Sequence, residues 1–466
     1  EGPDRPAVVG RIAVEWEGLL QAVEIGVHRD REDSEAVGLA LRACLALEPV
    51  LEARGPLFLG LELLDEVLKR TDSILGSDPL LQLRVLVMRA RALRRAGRGA
   101  AARADLDRAT SIAERWSDAE GSAVCRVEHG RLALESGAPD AALGLLVPVA
   151  EACLGRGDAA HHAQARALIG AASMALGRME EAERELSAAV EALGDLGLER
   201  DRARALGWLA AVHRRAGRLD DARERHLASI RSLCRLGIRG LESRARSDLA
   251  IVELQAGATS EAERSIAEAI RLARAVGDRR SEGVALRARG LVDLVAGRFG
   301  DALGHLLGAM AIDRDRGDTR SEAMNAAMVG VAHHLGDHPD AARDAYRRAI
   351  EGLTESDDKR ILALARGWSA ALEAEAGEPA SRELYASALL KHAETADPIV
   401  GESLHQLRGM IDLYEAKVAE RAGDMAGAAR LRRAATDRWE EAAARRAPLP
   451  IEARLAHDRV GRHLQP

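Results

Sequence analysis

The chain has 466 residues, a formal net charge of −7 and only 2% aromatic side chains. Alanine, leucine, arginine and glutamate favour helices and leave little material for strands. The acidic balance excludes a global basic field for nucleic acid, and no run of eighteen apolar residues offers a membrane span.

Residues 1–34 are expected to form an N-terminal cap with a leading helix over 10–28. The segments SEAVGLALRACLALEPVLEARG and PLFLGLELLDEVLKR then read as a first helix pair, with Gly55 in the turn, Gly60 in a small-residue slot and Pro56 at the first helical position. Pro49 inside the preceding helix is expected to kink it.

From there a forty-residue period governs the chain. Glycines fall at 97, 137, 177, 217, 257 and 297, and the series continues at Gly336, Gly377 and, more loosely, Gly423. A second series, Gly157, Gly197, Gly237, Gly277 and Gly317, alternates with it at twenty. Each block carries apolar residues at helical spacing, as in Ile266, Ala269, Ile270 and Ala273. Glycine just past a helix end supplies the left-handed cap. Every forty residues therefore encode two helices, each roughly 25 Å long at 1.5 Å per residue. Residues 35–356 make eight such repeats, residues 357–441 two degraded ones with Pro379 in a turn, and residues 442–466, with APLPIEARL, a polar C-terminal tail holding at most one short helix.

Small residues recur at fixed offsets. Ala102, Ala142, Ala182, Ala222, Ala262 and Ala302 stand five after the turn glycine, and Ala90, Gly130, Gly170, Ala210, Ala250 and Gly290 seven before it. Small facing small across a tight turn is expected to let the two helices pack closely. Seven on from the first slot, Ala109, Ala189, Ala269 and Ala309 are expected to meet the next pair, with Ser229 the polar exception.

This arrangement, with a larger residue between the two alanines (Leu186, Ile266, Leu306 or Tyr346), resembles the tetratricopeptide repeat. The usual repeat has about thirty-four residues and closes with proline, whereas this one has forty and closes with glycine. The segments GDRRSEGVALRARGLVDLVAGRFGDAL and GDTRSEAMNAAMVGVAHHLGDHPDAA are similar to the C-terminal sensor regions of bacterial signal-transducing ATPases, among them maltose-activator-like and antibiotic-regulator-like transcription factors. Related repeats follow the ATPase part of some bacterial kinases. VEWEGLLQAV resembles the helix that begins such regions, and with Glu1 at the start the chain is expected to be a piece of a longer protein.

The resemblance implies an all-α, right-handed superhelical solenoid of about ten antiparallel helix pairs, with the first helix of each pair lining a concave binding face. The repeat frame puts Arg84, Arg91, Arg94, Arg131, Arg204, Arg214 and Arg244 on that face, followed by a more apolar part with Arg287, Leu291, Leu294 and His334. Arginine forks suit carboxylates or phosphates, and the apolar part suits side chains of a peptide or partner helix. The same arginines also suit i,i+4 pairing with the many acidic residues, and the apolar positions suit packing between first helices.

Chemistry-bearing motifs are missing. No G-x-x-x-x-G-K-[ST], G-x-S-x-G, H-E-x-x-H or protein-kinase signature occurs. Cys44, Cys125, Cys153 and Cys234 form no C-x-x-C pair and are expected to be buried thiols in a reducing, cytoplasmic setting. His334 and His338 are four apart, but Gly336 and Pro339 mark a turn, so no metal site is expected. The five tryptophans do not recur at forty, which argues against a stacking platform for single strands. The expectation is a non-catalytic scaffold without cofactor, metal, nucleic acid or membrane. It would bind a protein, peptide or small effector as the sensor part of a bacterial regulator; the alternative is an assembly module that holds partners together or self-associates.

Overall fold

The computed structural model describes residues 12, 14–28, 34–53, 57–71, 78–356, 358–395, 397–444 and 449–464. The expected turn residues Gly55 and Pro56 lie outside them. Among the described residues there are 22 α-helices and no strand. Helix α1 spans Trp16–His28, α2 Ser34–Ala53 and α3 Leu57–Thr71. α2 runs on through Pro49.

Helices then begin on every twentieth residue: α4 Pro79–Arg95, α5 Gly99–Arg115, α6 Ala119–Glu135, α7 Pro139–Arg156, α8 Ala159–Ala175, α9 Met179–Asp195, α10 Glu199–Arg215, α11 Leu219–Leu236, α12 Arg239–Gln255, α13 Thr259–Ala275, α14 Arg279–Val295, α15 Phe299–Asp315, α16 Thr319–Leu335, α17 Pro339–Glu355 and α18 Lys359–Ala376. The step loosens for α19 Ala380–Thr395, α20 Pro398–Arg421, α21 Met425–Ala444 and α22 Ile451–Leu464. Two compact units result. The first comprises Glu1–Val212, Glu224–Arg246 and Glu268–Glu282, the second His213–Arg223, Ser247–Ala267 and Gly283–Pro466.

The turns explain the step. The glycines of both series from 97 to 317 hold φ between 65° and 83°, where a side chain costs energy. The next N–H closes back on the carbonyl five residues earlier, as Arg98 does on Leu93 (2.8 Å) and Arg178 on Ser173 (2.9 Å). Two other residues fill the same slot: Ser117 at φ 53° and Asp337 at φ 61°. The slot assigned to Gly336 is thus one residue late: Asp337 keeps the forty step, because aspartate tolerates the left-handed region, and Gly336 ends its helix at φ −88°. The first helices have their own regular signal. Asp78, Asp118, Asp158, Asp278, Asp318 and Asp358, all in one forty-residue phase, accept backbone N–H bonds from the first turn.

The alanines at 102, 142, 182, 222, 262, 302 and 342 are completely or almost completely buried. The glycines among their counterparts do face the alanine turn, where a Cβ on Gly170 would lie 3.2 Å from the Ala182 carbonyl oxygen and one on Gly290 3.4 Å from that of Ala302, and they also clear space for a large side chain. A Cβ on Gly130, Gly170, Gly290 or Gly330 would come within 2.5–2.7 Å of Leu146, Leu186, Leu306 or Tyr346. The missing side chain makes room for the large residue between the alanines, sixteen positions on, at interior packing density. Ser229 satisfies its hydroxyl by donating to the Ala203 carbonyl at 2.7 Å.

Cys44, Cys125 and Cys153 are buried. Cys234 is exposed, against expectation, because it lies off the buried stripe formed by Ile230, Leu233 and Leu236. Among the described residues no helix is long and apolar enough to cross a membrane.

Candidate binding surfaces on the first helices

In the first unit, α4 sends arginines toward neighbouring first helices. Arg91 Nε donates to Glu128 Oε1 on α6 at 2.9 Å, and its Nη1 to Glu48 Oε1 on α2 at 3.1 Å. Arg94 Nη1 donates to Glu135 Oε1 at 2.5 Å. Arg280, at the start of α14, pairs with the other Glu135 oxygen. Arg131 Nε lies 3.5 Å from Glu128 Oε2. On α10, Asp201 accepts from Gln164 Nε2 at 2.9 Å and faces Arg204 Nη1 at 3.6 Å. Arg244 adds a further positive charge near Glu135. Of the six arginines expected here, five join this network, whereas Arg84 is exposed outside it.

The network is dense enough to move ionisation. Burial alone would raise the Glu135 carboxyl, yet Arg280 and Arg94 hold it down at about 2. Burial acts the same way on Glu128, and Arg131, Arg91 and Arg94 outweigh it, so its pKa too is strongly lowered. Arg131 is lowered, first by burial and then by repulsion from Arg94 and Arg200 that offsets the pull of Glu128 and Asp201. Guanidinium groups therefore outnumber the carboxylates they share. Beside them opens a slot floored by Leu51, Leu64 and Met88 and walled by Arg91, Arg94 and Arg95.

The second unit arranges its first helices otherwise. Arg214 Nη1 reaches Gln255 Oε1 at 3.5 Å, and Arg215 lies 3.7 Å from the buried Asp397. Burial, then the nearby Arg360 charge, pulls Arg215 down to about 9. Leu294 is in the core, while Leu291 and Arg287 are half-buried. His334 is buried: its Nε2 meets Glu375 Oε2 at 3.1 Å, its Nδ1 meets the Tyr346 hydroxyl at 3.4 Å, and its ring stands edge-on to Trp368 at 5.8 Å. His338 turns instead to His333, with ring centroids 6.1 Å apart. Among the described residues no group of three or more His, Cys, Asp or Glu is gathered for a metal. On α15–α17 a groove of ≈ 440 Å³ is floored by Ala323, Ala326 and Val329 and walled by Leu307 and Met310.

The sequence points to the arginines but not to their carboxylates. Glu128 and Glu135 lie 37 and 41 residues after Arg91 and Arg94, Asp201 lies 37 after Gln164, and Glu375 lies 41 after His334. One period, give or take a few residues, brings side chains of successive first helices together. Opposite charges at those offsets were the available signal.

No protein-family model and no curated protein matches the sequence. Among solved structures, a Rap protein in complex with competence and sporulation factor aligns with TM-score 0.59 at 13% identity, over 75% of this chain and 99% of that one. The Cut9–Hcn1 hetero-tetramer of the APC/C gives 0.51 at 16% identity, over 76% of this chain; the match spans less than two thirds of that chain, 62%. A signal transduction ATPase with a tetratricopeptide-repeat sensor, from Pyrococcus horikoshii, gives 0.48 at 15% identity, over 82% of this chain and 55% of that one. Likeness at such identity speaks for fold and not for function. With the forty-residue frame, the buried alanine slots and the left-handed turn residues, the likeness to the first two of these identifies the chain as an all-α solenoid of tetratricopeptide-type helix pairs.

Proposed function

We propose that the chain is a non-catalytic scaffold whose first-helix surface takes a protein or peptide partner, as the sensor part of a larger bacterial signalling regulator. One observation carries this reading: the first unit sets an apolar floor of Leu51, Leu64 and Met88 beside Arg91, Arg94 and Arg95. Such a surface suits an acidic segment, because guanidinium forks bind carboxylates in a fixed plane. The partner's carboxylates would share the arginine excess with Glu128 and Glu135. A non-catalytic role agrees with two of the buried cysteines: burial lifts Cys44 to about 12 and Cys125 to about 11, out of the nucleophilic range.

The test uses the full chain and fluorescent peptides that carry two or three acidic residues. Saturable binding is expected, weakened at least tenfold by Arg91→Ala with Arg94→Ala. Failure of every peptide to bind, or equal binding by the double variant, overturns the reading.

A second reading, an assembly module that self-associates, is favoured by α7, where Val147 and Leu154, seven apart on one face, are 41% and 66% exposed. Light scattering over a concentration series, with Leu154→Asp as the control, decides it: a monomer at every concentration ends this reading.

A further inference from the structure

One helix stands beyond the pairs. α21 ends at Ala444, Leu449 and Pro450 are not helical, and α22 starts at Ile451. The connecting sequence RRAPLP holds two prolines, which disfavour continuing α21. α22 packs chiefly on α20, a first helix, and less on α21, as α20 itself, of the two helices before it, packs chiefly on α18 and less on α19. Ile451, Ala453, Leu455, Ala456 and Val460 are buried there.

Its central polar contact is Arg459, which is largely buried and reaches three successive first helices. Nη2 donates to Asp337 Oδ1 just past α16 at 2.9 Å and to Glu375 Oε1 on α18 at 3.4 Å, and Nε donates to the Tyr414 hydroxyl on α20 at 3.3 Å. The second oxygen of Glu375 is held by His334 at 3.1 Å. At the other end of α22, Glu452 is the leading counter-charge to Arg214. His457 stacks on Trp439 at 5.4 Å, and His463 stands edge-on to Tyr414 at 5.9 Å.

We propose that this surface of the second unit is a site for an amphipathic helix with an arginine in mid-face, that α22 is its resident occupant, and that a partner helix of the same chemistry displaces it. The inference rests on the reading of first helices as partner-binding surfaces and names the class of partner for one of them. The seat is built from separate repeats and the occupant is a short tethered segment, so the contact has the form of a bound peptide. The carboxylates of Asp337 and Glu375 select a cation, and the apolar residues of α22 at i, i+4 spacing select a helix. The tether gives α22 a high effective concentration, which an incoming helix must overcome.

The experiment titrates a fluorescent peptide of residues 449–464 onto the full chain, as wild type and as Arg459→Ala, with hydrogen exchange followed across α22. The variant is expected to bind the peptide at least tenfold more tightly than wild type, because its own helix is loosened, and α22 amides in the variant exchange faster. A peptide carrying its own Arg459→Ala change binds both chains more weakly. Glu375→Gln, which damages the seat and not the occupant, should also speed α22 exchange but bind the wild-type peptide no better. Equal peptide affinity in wild type and Arg459→Ala, or α22 exchange unchanged in both variants, overturns the proposal. The acidic-peptide test on Arg91 and Arg94 reads the other unit, so either idea can fail while the other stands.

Discussion

The two units answer the same packing problem in opposite ways. In the first, the space between first helices is filled by opposite charges: Glu128 and Glu135 sit among Arg91, Arg94, Arg131 and Arg280. In the second, it is filled by rings and a helix: His334 lies against Tyr346 and Trp368, and α22 closes over Glu375 through one arginine. Both use the same forty-residue frame. The frame fixes which positions meet, and the residue chosen at each position then decides whether the meeting is ionic, apolar or occupied by another segment.

The sharpest way to break this contrast is to remove the carboxylate shared by two arginines. Glu135→Gln leaves Arg94 and Arg280 without their counter-charge, and losing one partner of a buried pair costs about 3–5 kcal/mol. Chemical denaturation followed by hydrogen exchange should show α4–α8 losing protection while α16–α20 keep theirs. Equal loss in both units would mean that they do not differ in this way.

Acid should act on the same group with a slightly smaller effect. Glu135 is held near 2 against an ordinary 4.5, because Arg280 and Arg94 outweigh the opposing effect of burial. The stabilisation is therefore complete above the unfolded value and drains away as pH falls from 4.5 toward 2, by roughly 3 kcal/mol in all. Unfolding free energies at pH 6 and pH 3 check the sign: stability must fall on acidification, and Glu135→Gln must flatten that fall.

A gain is expected at Ser117, the residue with φ 53° in a slot that glycine fills elsewhere. Ser117→Gly should stabilise the first unit by about 1 kcal/mol, seen as a higher denaturation midpoint. The smallest effect belongs to the outer surface. Arg347 and Asp344 form an exposed i,i+3 pair, and Arg347→Ala should change stability by less than about 0.5 kcal/mol in the same assay. A larger loss would show that outer pairs count as much as inner ones.

The fold was legible because its signals are local and repeated. A glycine past a helix end and an alanine five residues on mean the same thing each time they occur. Errors arose where another residue did the job: Asp337 took the slot read at Gly336, and the aspartate caps stayed hidden among the many other acidic residues of the chain. The site was legible only on one side. Arg91 and Arg94 stand out in one helix, whereas their partners lie about one period away and look like ordinary surface acids. The seat of α22 was not legible, since Arg459 finds Asp337 across 122 residues, about three periods, in the part of the chain where the twenty-residue step has loosened.

The twenty-residue spacing of helix starts also governs how such a chain can change length. Duplicating a whole block of forty preserves the offsets of 37 and 41 within it, whereas deleting the block that holds Glu128 and Glu135 would bring Leu168 and Ala175 opposite Arg91 and Arg94. A single added residue inside α6, between Glu128 and Glu135, rotates the remainder of that helix by about 100° and swings Glu135 away from Arg94 and Arg280. Duplication in whole modules is thus tolerated, and single-residue insertion in a first helix is not.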